Sequence, residues 1–424
     1  MLDMRLLKDN PDFLREACTL KFVDVDVDRA VALDGRRREI LQEKEALQNE
    51  RNRVSKEIAV AKKSGQDTAP AQGEMKKVGE RIAALENEER GIAQELQALM
   101  LSIPNHPSDS SPVGDESANR EIAQWGEKPA FSFEPKPHWE LCENLGMLDL
   151  KRGVKIAGAG FILYRGVGAR LERALYNFFL DFHTARHGYT EWFPPFLVNR
   201  DSMIGTGQLP KMEDDMYHCD KDDDLFLIPT AEVPITNIHR EEILPLEELP
   251  LKYCAYSACF RREAGSAGKD TRGLLRVHQF NKVELVKVCR AEDSYRELES
   301  LRRDVEDILQ ALGLHYRVLD LATGDMSFAA AKCYDFEVWS AGVGKYLEAS
   351  SCSNFADYQA RRANIRYKDE NKKTQVAHTL NASGVALPRT VVALIENNQR
   401  EDGSIAIPEV LQPYMGGMRE IRKA

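Results

Sequence analysis

Nowhere do the 424 residues approach the run of about 18 uninterrupted apolar side chains that a membrane-spanning helix needs. No GxxxxGK followed by Ser or Thr occurs, which excludes a P-loop. The eight cysteines, at 18, 142, 219, 254, 259, 289, 333 and 352, form no CxxC. His218-Cys219 has no second pair with which to build a metal site. Scattered thiols of this kind point to a reducing, cytoplasmic setting. The opening MLDMRLLKDNPDFL is charged throughout and lacks the apolar centre of a signal peptide. Basic residues are outnumbered, 58 Lys+Arg against 68 Asp+Glu, for a net charge of −10. That excludes a globally basic nucleic-acid coat but leaves room for a local basic patch.

Aromatics are missing altogether from residues 28–101, a stretch rich in Glu, Lys, Arg, Gln and Ala with Pro70 its one proline. The polar break SGQDTAPAQG, residues 64–73, divides it into two long helices. In the second, Met75, Ile82 and Leu96 mark one heptad position and Val78, Leu85, Ile92 and Leu99 the other, with Glu89 interrupting. In the first, Leu33, Ile40, Leu47, Val54 and Ala61 recur every seven residues. A narrow seam at 3-4 spacing is coiled-coil geometry, and a short connection makes the pair an antiparallel hairpin projecting into solvent. Arg36, Arg37, Arg51, Lys62, Lys63, Lys76 and Lys77 lie along it. Interleaved acids make a solvated, ion-paired face the plainer reading for many of them. The two lysine pairs near the tip point instead to phosphate binding.

A Pro- and Ser-rich linker at 102–119 separates this arm, residues 1–104, from a second domain at 105–424. There, short strand-like runs around 225–233, 277–289, 334–339 and 346–352 mix with helices at 169–187 and 293–312. The mix predicts an α+β fold with an antiparallel sheet. Pro194-Pro195 interrupts YTEWFPPFLVN or confines it to a sheet edge.

Four segments carry chemistry. CFRREAGSAGKDTRGLLRVHQFNKVELV, residues 259–286, reads as strand, loop, strand. Its cations Arg261, Arg262, Lys269, Arg272 and Arg276, with Gly265, Gly268 and Gly273 for close approach, suit a polyphosphate. In HTLNASGVALPRTVVALIENNQ, residues 378–399, Asn381-Ala382-Ser383-Gly384 reads as a turn and Pro388 as the first turn of a helix. Arg389 stands beside that helix's anion-favouring N-terminus. GKYLEASSCSNFADYQARR, residues 344–362, sets Glu348 among hydroxyls at Ser350, Ser351 and Ser353, hard oxygens that suit Mg²⁺. Thr230-Ala231-Glu232-Val233 is a fourth, short motif.

Together these segments resemble the class II aminoacyl-tRNA synthetases, in their seryl branch, from end to end. Residues 1–101 are similar to that family's N-terminal arm. GYTEWFPPFLVN resembles its motif 1, FRREAGSAGKDTRGLLRVHQF its motif 2, and GVALPRTVVALIENNQ its motif 3. The resemblance implies an antiparallel sheet flanked by helices, activating serine with ATP and Mg²⁺ and transferring it to tRNA(Ser), and to tRNA(Sec) where present. It implies that Arg261 contacts the α-phosphate, with Arg262 beside it, and that Glu263 reads the adenine amino group. Phe280 and Arg389 would sandwich the adenine, with Arg389 reaching the γ-phosphate, while Val277, His278 and Gln279 complete that strand. Glu348, Ala349, Ser350 and Ser351 would face the phosphates, with Glu348 and Ser351 on Mg²⁺. Thr230, Ala231, Glu232, Arg261, Glu284, Asn381 and Ser383 would surround serine. Arg261, Glu348 and Arg389 would be the catalytic groups. The basic arm would grip the long variable arm of the tRNA, and motif 1 would form a homodimer.

The chain departs from the family pattern at Leu347, where Arg is usual, and at Ser327, Ala329, Cys333, Pro388 and Arg262. These departures admit an ordinary divergent enzyme or a specialised paralogue. An amino acid:carrier-protein ligase and a retired synthetase core are the alternatives. The first lacks such an arm, and the second is opposed by intact Arg261, Glu263, Glu284, Glu348 and Arg389. A zinc-dependent seryl form would need a Cys/His set that the sequence does not display.

Overall fold

The computed structural model describes residues 1–219, 222–264 and 272–423. It divides into two compact units, Leu2–His106 and Pro107–Ala424, Met1 grouping with the latter.

In the first unit, short helices Leu6–Asp9 and Pro11–Leu20 precede α1 (Val27–Lys63) and α2 (Ala69–Ser102). Asp26 caps α1 by accepting the Arg29 N–H at 2.8 Å. The pairs Arg29–Glu95, Arg36–Glu88 and Arg81–Glu43 run in opposite senses along the two helices, so the hairpin is antiparallel. Ala30, Leu33, Ile40, Ile82, Leu85, Leu96 and Met100 are buried, whereas Leu47, Val54, Met75 and Val78 towards the tip are half-buried. Glu89, the interruption of the seam, is matched by Lys44, 2.6 Å away. Pro70 lies in the first turn of α2 rather than in the break. Its ring fixes a helical φ and its missing N–H has no intrahelical partner to lose there, so the connection shortens to residues 64–68.

The second unit is built on an eight-stranded sheet. In chain order the strands are β1 (Arg120–Trp125), β2 (Thr190–Trp192), β3 (Leu251–Phe260), β4 (Gln279–Cys289), β5 (Tyr316–Asp320), β6 (Lys332–Ser340), β7 (Lys345–Asn354) and β8 (His378–Ala386). They lie side by side as β1-β5-β6-β7-β8-β4-β3-β2. All neighbours pair antiparallel except β2, which runs parallel to β3 at Tyr253, Cys254 and Ala255. Helices α3 (Val167–His187), α4 (Ser294–Ala311) and α5 (Leu387–Asn397) share one apolar core with the sheet, including Leu175, Phe179, Leu285, Leu301, Val305, Phe336 and Leu394. Along β4 the side chains alternate: Val283 and Leu285 enter this core, while Phe280, Lys282 and Glu284 line clefts.

Pro194-Pro195 breaks its segment as expected, leaving β2 at the edge of the large sheet and Leu197–Asn199 in a separate three-stranded one with Leu225–Leu227 and His218–Cys219. Other local expectations change. The strand read at 225–233 stops at Leu227, and Glu232–Thr236 is helical. Pro229 offers no N–H for a ladder, and the Thr230 hydroxyl accepts the Glu232 N–H at 3.1 Å, which starts the helix. Asn381-Ala382-Ser383-Gly384 is not a turn but the centre of β8, with Asn381 opposite Val286 on one side and Ser353 on the other. Pairing on both edges overrides its local turn chemistry. Part of the 102–119 segment is also stitched to the core, since the Ser108 N–H donates to Ala331 O at 2.7 Å and the Thr323 N–H to Pro112 O at 2.9 Å.

Candidate active site

The β3–β4 hairpin positions the cationic loop. Arg261 N–H donates to His278 O at 2.9 Å, and the His278 ring meets Arg261 O at 3.0 Å, closing the loop at its base. Lys269, Gly265 and Gly268 lie outside the described residues. The Arg261 guanidinium lies 5.2 Å over the Phe280 ring. Glu263, held at φ 52°, takes the Arg276 guanidinium at 2.5 Å. From the first turn of α5, Arg389 donates to Glu348 O at 2.8 Å and to its carboxylate at 3.0 Å.

These groups enclose a cleft of about 620 Å³, lined by Arg261, Glu263, Val277, Phe280, Lys282, Glu348, Ala349, Ser350, Ser383, Pro388 and Arg389 among others. A second cleft of about 980 Å³ holds Thr230, Glu232, Arg261, Lys282, Glu284, Glu348, Ser351, Asn381 and Ser383. Arg261, Lys282, Glu348 and Ser383 line both.

A register shift decides what β7 presents. Glu337 opposes Glu348 and Phe336 opposes Ser350, so Ala349 is an extra residue. Without that bulge, positions 348 and 351 would face opposite sides of the sheet; with it, both carboxylate and hydroxyl reach the second cleft. Asp335, directly opposite Ser351 in the ladder, is a functional candidate the sequence reading missed. Its carboxyl is pushed well above the ordinary range by burial and by the charge of Glu348, against a hydrogen bond from Ser351.

The floor of the second cleft is a buried polar set. One Glu284 oxygen accepts the Thr230 hydroxyl at 2.5 Å and pairs with Lys282. The other is buried and has no partner among the described residues. Glu232 accepts from Gln359 at 2.7 Å, and burial together with the negative charge of Glu284 raises it to about 7. Lys282 was missed because a lysine alternating with apolar residues on a strand reads as a solvated edge. Only the pairing of β4 on both sides buries it.

Some expected residues stand elsewhere. Ala231 is buried with Ile235, Tyr253 and Val286, lining neither cleft. Arg262 is exposed and bonds Asp215 O through its backbone N–H at 2.9 Å. His278, against Phe161, and exposed Gln279 line neither cleft, and β4 begins only at Gln279. The Ser350 hydroxyl turns to Ser383 O. Of the departures, Leu347 points into the core, Cys333 Sγ lies 3.1 Å from the Ser351 hydroxyl, and Ser327 and Ala329 line the second cleft. On the arm, Arg36 and Lys77 are committed to Glu88 and Glu74, and Arg37 is half-buried. Arg51, Lys62, Lys63 and Lys76 are exposed and have no carboxylate partner among the described residues.

Comparison with known proteins fits this geometry. Residues 1–107 match the seryl-tRNA synthetase N-terminal domain, and residues 216–398 match the tRNA synthetase class II core domain (G, H, P, S and T). The chain is 55% identical to a serine--tRNA ligase of Geobacter sulfurreducens, covering 99% of this chain and 100% of that one. It is equally identical, over 100% of both chains, to one from Geobacillus kaustophilus. The structure superposes on a Pyrococcus horikoshii seryl-tRNA synthetase complexed with ATP at TM-score 0.93, with 37% identity and complete coverage of both chains.

Proposed function

The chain belongs to the serine--tRNA ligases, the seryl branch of the class II aminoacyl-tRNA synthetases, and we propose that its two clefts work as one active site, ATP in the first and serine in the second. The observation that carries this is their junction, where Arg261, Lys282, Glu348 and Ser383 line both. A bond formed between a nucleotide and an amino acid must form at such a boundary.

The serine carboxylate attacks the α-phosphorus in line and pyrophosphate leaves. The terminal ribose hydroxyl of tRNA(Ser), and of tRNA(Sec) where present, then attacks the seryl carbonyl of the adenylate, the bond to the phosphate oxygen breaks and AMP leaves. Charge builds on the phosphorus oxygens, so fixed cations at the junction, Arg261 and Lys282, are the stabilising groups, and no protein nucleophile is required. Phe280 supplies one adenine face. Arg389, released from Glu348, supplies the other and reaches the γ-phosphate, and Glu263 reads the adenine amino group. The unpartnered Glu284 oxygen accepts the serine hydroxyl. Alanine leaves it unpaired, and sites of that kind reject such analogues by roughly 10⁴–10⁵. Glu232 faces the substrate ammonium, with Thr230, Asn381 and Ser383 beside it.

Mg²⁺ fits the residues present. Glu348 and Ser351 offer hard oxygens on one face, and the like-charge contact of Asp335 with Glu348 is one that a divalent cation would relieve. Bound there, Mg²⁺ would neutralise charge on the phosphate oxygens.

The protein works in the cytoplasm as a homodimer through the exposed Trp192, Phe193 and Leu197 of motif 1. It grips the long variable arm of the tRNA with Arg51, Lys62, Lys63 and Lys76. ATP–pyrophosphate exchange with serine, threonine, alanine, cysteine and glycine, without tRNA, tests the core of this reading. Exchange with serine alone is expected; none with any of them, from folded protein that binds ATP, overturns it.

A further inference from the structure

We propose that His138 is a positioning residue of the nucleotide cleft, holding the returning end of the β3–β4 loop through one neutral imidazole nitrogen. The inference rests on the first cleft being the ATP site. His138 opens the helix His138–Asn144 and is fully buried. The Leu274 N–H donates to its Nε2 at 3.1 Å. A backbone N–H can only donate, so Nε2 offers a lone pair and the ring proton resides on Nδ1. Nδ1 in turn lies 2.8 Å from Glu396 Oε1, which also accepts the His138 backbone N–H at 2.8 Å. The partners therefore fix both the tautomer and the neutral state.

Two further contacts converge at the same place. Gly273 has φ +69°, and a Cβ on it would lie 2.2 Å from His138 Nε2. Arg272 lies 4.6 Å over the Trp139 ring. The residues leaving the loop thus rest on the first two residues of one helix. Immediately beyond them, Leu275 and Arg276 enter the first cleft, where Arg276 holds Glu263.

Glu396 extends the anchor. Its second oxygen accepts the Gly342 N–H at 2.8 Å, the Val343 N–H at 3.0 Å and the Ser340 hydroxyl. Burial pushes this carboxyl up, but the hydrogen bonds from His138 and Ser340 outweigh it and hold the group below its usual range. Glu396 sits on α5, the helix whose first turn carries Arg389, and the turn it grips leads into β7, which carries Glu348. One carboxylate and one imidazole therefore fix the relative placement of the loop end, β7 and α5. All three segments line the nucleotide cleft.

Two amide variants separate positioning from packing. His138→Asn keeps a donor where Nδ1 stood and removes the acceptor that holds Leu274. His138→Gln places an amide oxygen near the position of Nε2 and keeps that acceptor. In serine-dependent ATP–pyrophosphate exchange with the full-length protein, His138→Asn is expected to raise the KM for ATP on the order of tenfold. The KM for serine should stay within about twofold, and His138→Gln should recover most of the loss. Gly273→Ala, which strains the same contact from the loop side, should reproduce the ATP effect and carries the test if His138→Asn does not fold. An unchanged KM for ATP in folded His138→Asn overturns the proposal. So does equal loss in the two amide variants, or an equal rise in both KM values. Wild-type protein without serine exchange would instead sink the function proposed above.

Discussion

Glu232 couples stability and substrate binding through one titration. Its folded value of about 7 lies above the ordinary 4.5, so between these pH values the folded protein holds a proton that the unfolded chain has released. Stability contributed by this group is therefore present at low pH and lost as pH rises through about 7. Serine binding runs the other way, because the ammonium is held by the ionised form. The KM for serine should fall as pH rises from about 6 to about 8. Glu232→Gln should flatten that dependence while leaving the KM for ATP in place, as steady-state exchange kinetics across the range would show. Lys282 makes a different point. A cation inside a strand is ambiguous in sequence, and only its pairing with Glu284 and its place between two clefts give it a role.

At the scale of elements, β4 carries the site on one face and a buried cation on the other edge of its length. Lys287 is fully buried and held by Glu297 at 3.0 Å and Ser300 at 3.1 Å, both on α4. Asp304, 3.8 Å away, also takes the Tyr189 hydroxyl at 2.7 Å. Removing one member leaves buried charge without its partner, which costs about 3–5 kcal/mol. Lys287→Ala should lower stability by that amount in chemical denaturation; a loss under about 1 kcal/mol would show that water enters the site and replaces the ammonium. The elements themselves were largely legible: the stop of α3 at Gly188, in the left-handed region at φ 71°, and Pro388 in the first turn of α5 follow from local chemistry. The bulge at Ala349 was not, since nothing in LEASSCSN distinguishes an inserted residue from a paired one.

At the scale of the whole molecule, the chain separates a basic tip from an acid-rich total. Exchange of Lys62, Lys63 and Lys76 for Glu should raise the KM for tRNA at least about tenfold and flatten its salt dependence. Serine-dependent exchange without tRNA should stay within about twofold, because none of the three lines either cleft. If exchange fell in parallel, the lysines would be acting on the fold instead.

The coiled-coil hairpin, the flanking helices, the cations Arg261, Arg272 and Arg276 between β3 and β4, and the family are legible in the chain alone. Each of these is written in local periodicity, capping residues or contiguous motifs. Tertiary structure alone decided which side chains of the motifs share a cleft. Ala231, Arg262, His278 and Gln279 lie within motifs yet face elsewhere, while Lys282, Asp335 and His138 lie outside the motif roles and face inward or hold what does. The physical reason is that a strand sends successive side chains to opposite faces. Ladder pairing, one bulge and burial on both edges then fix which face meets the substrate, and those depend on partners far away in the chain.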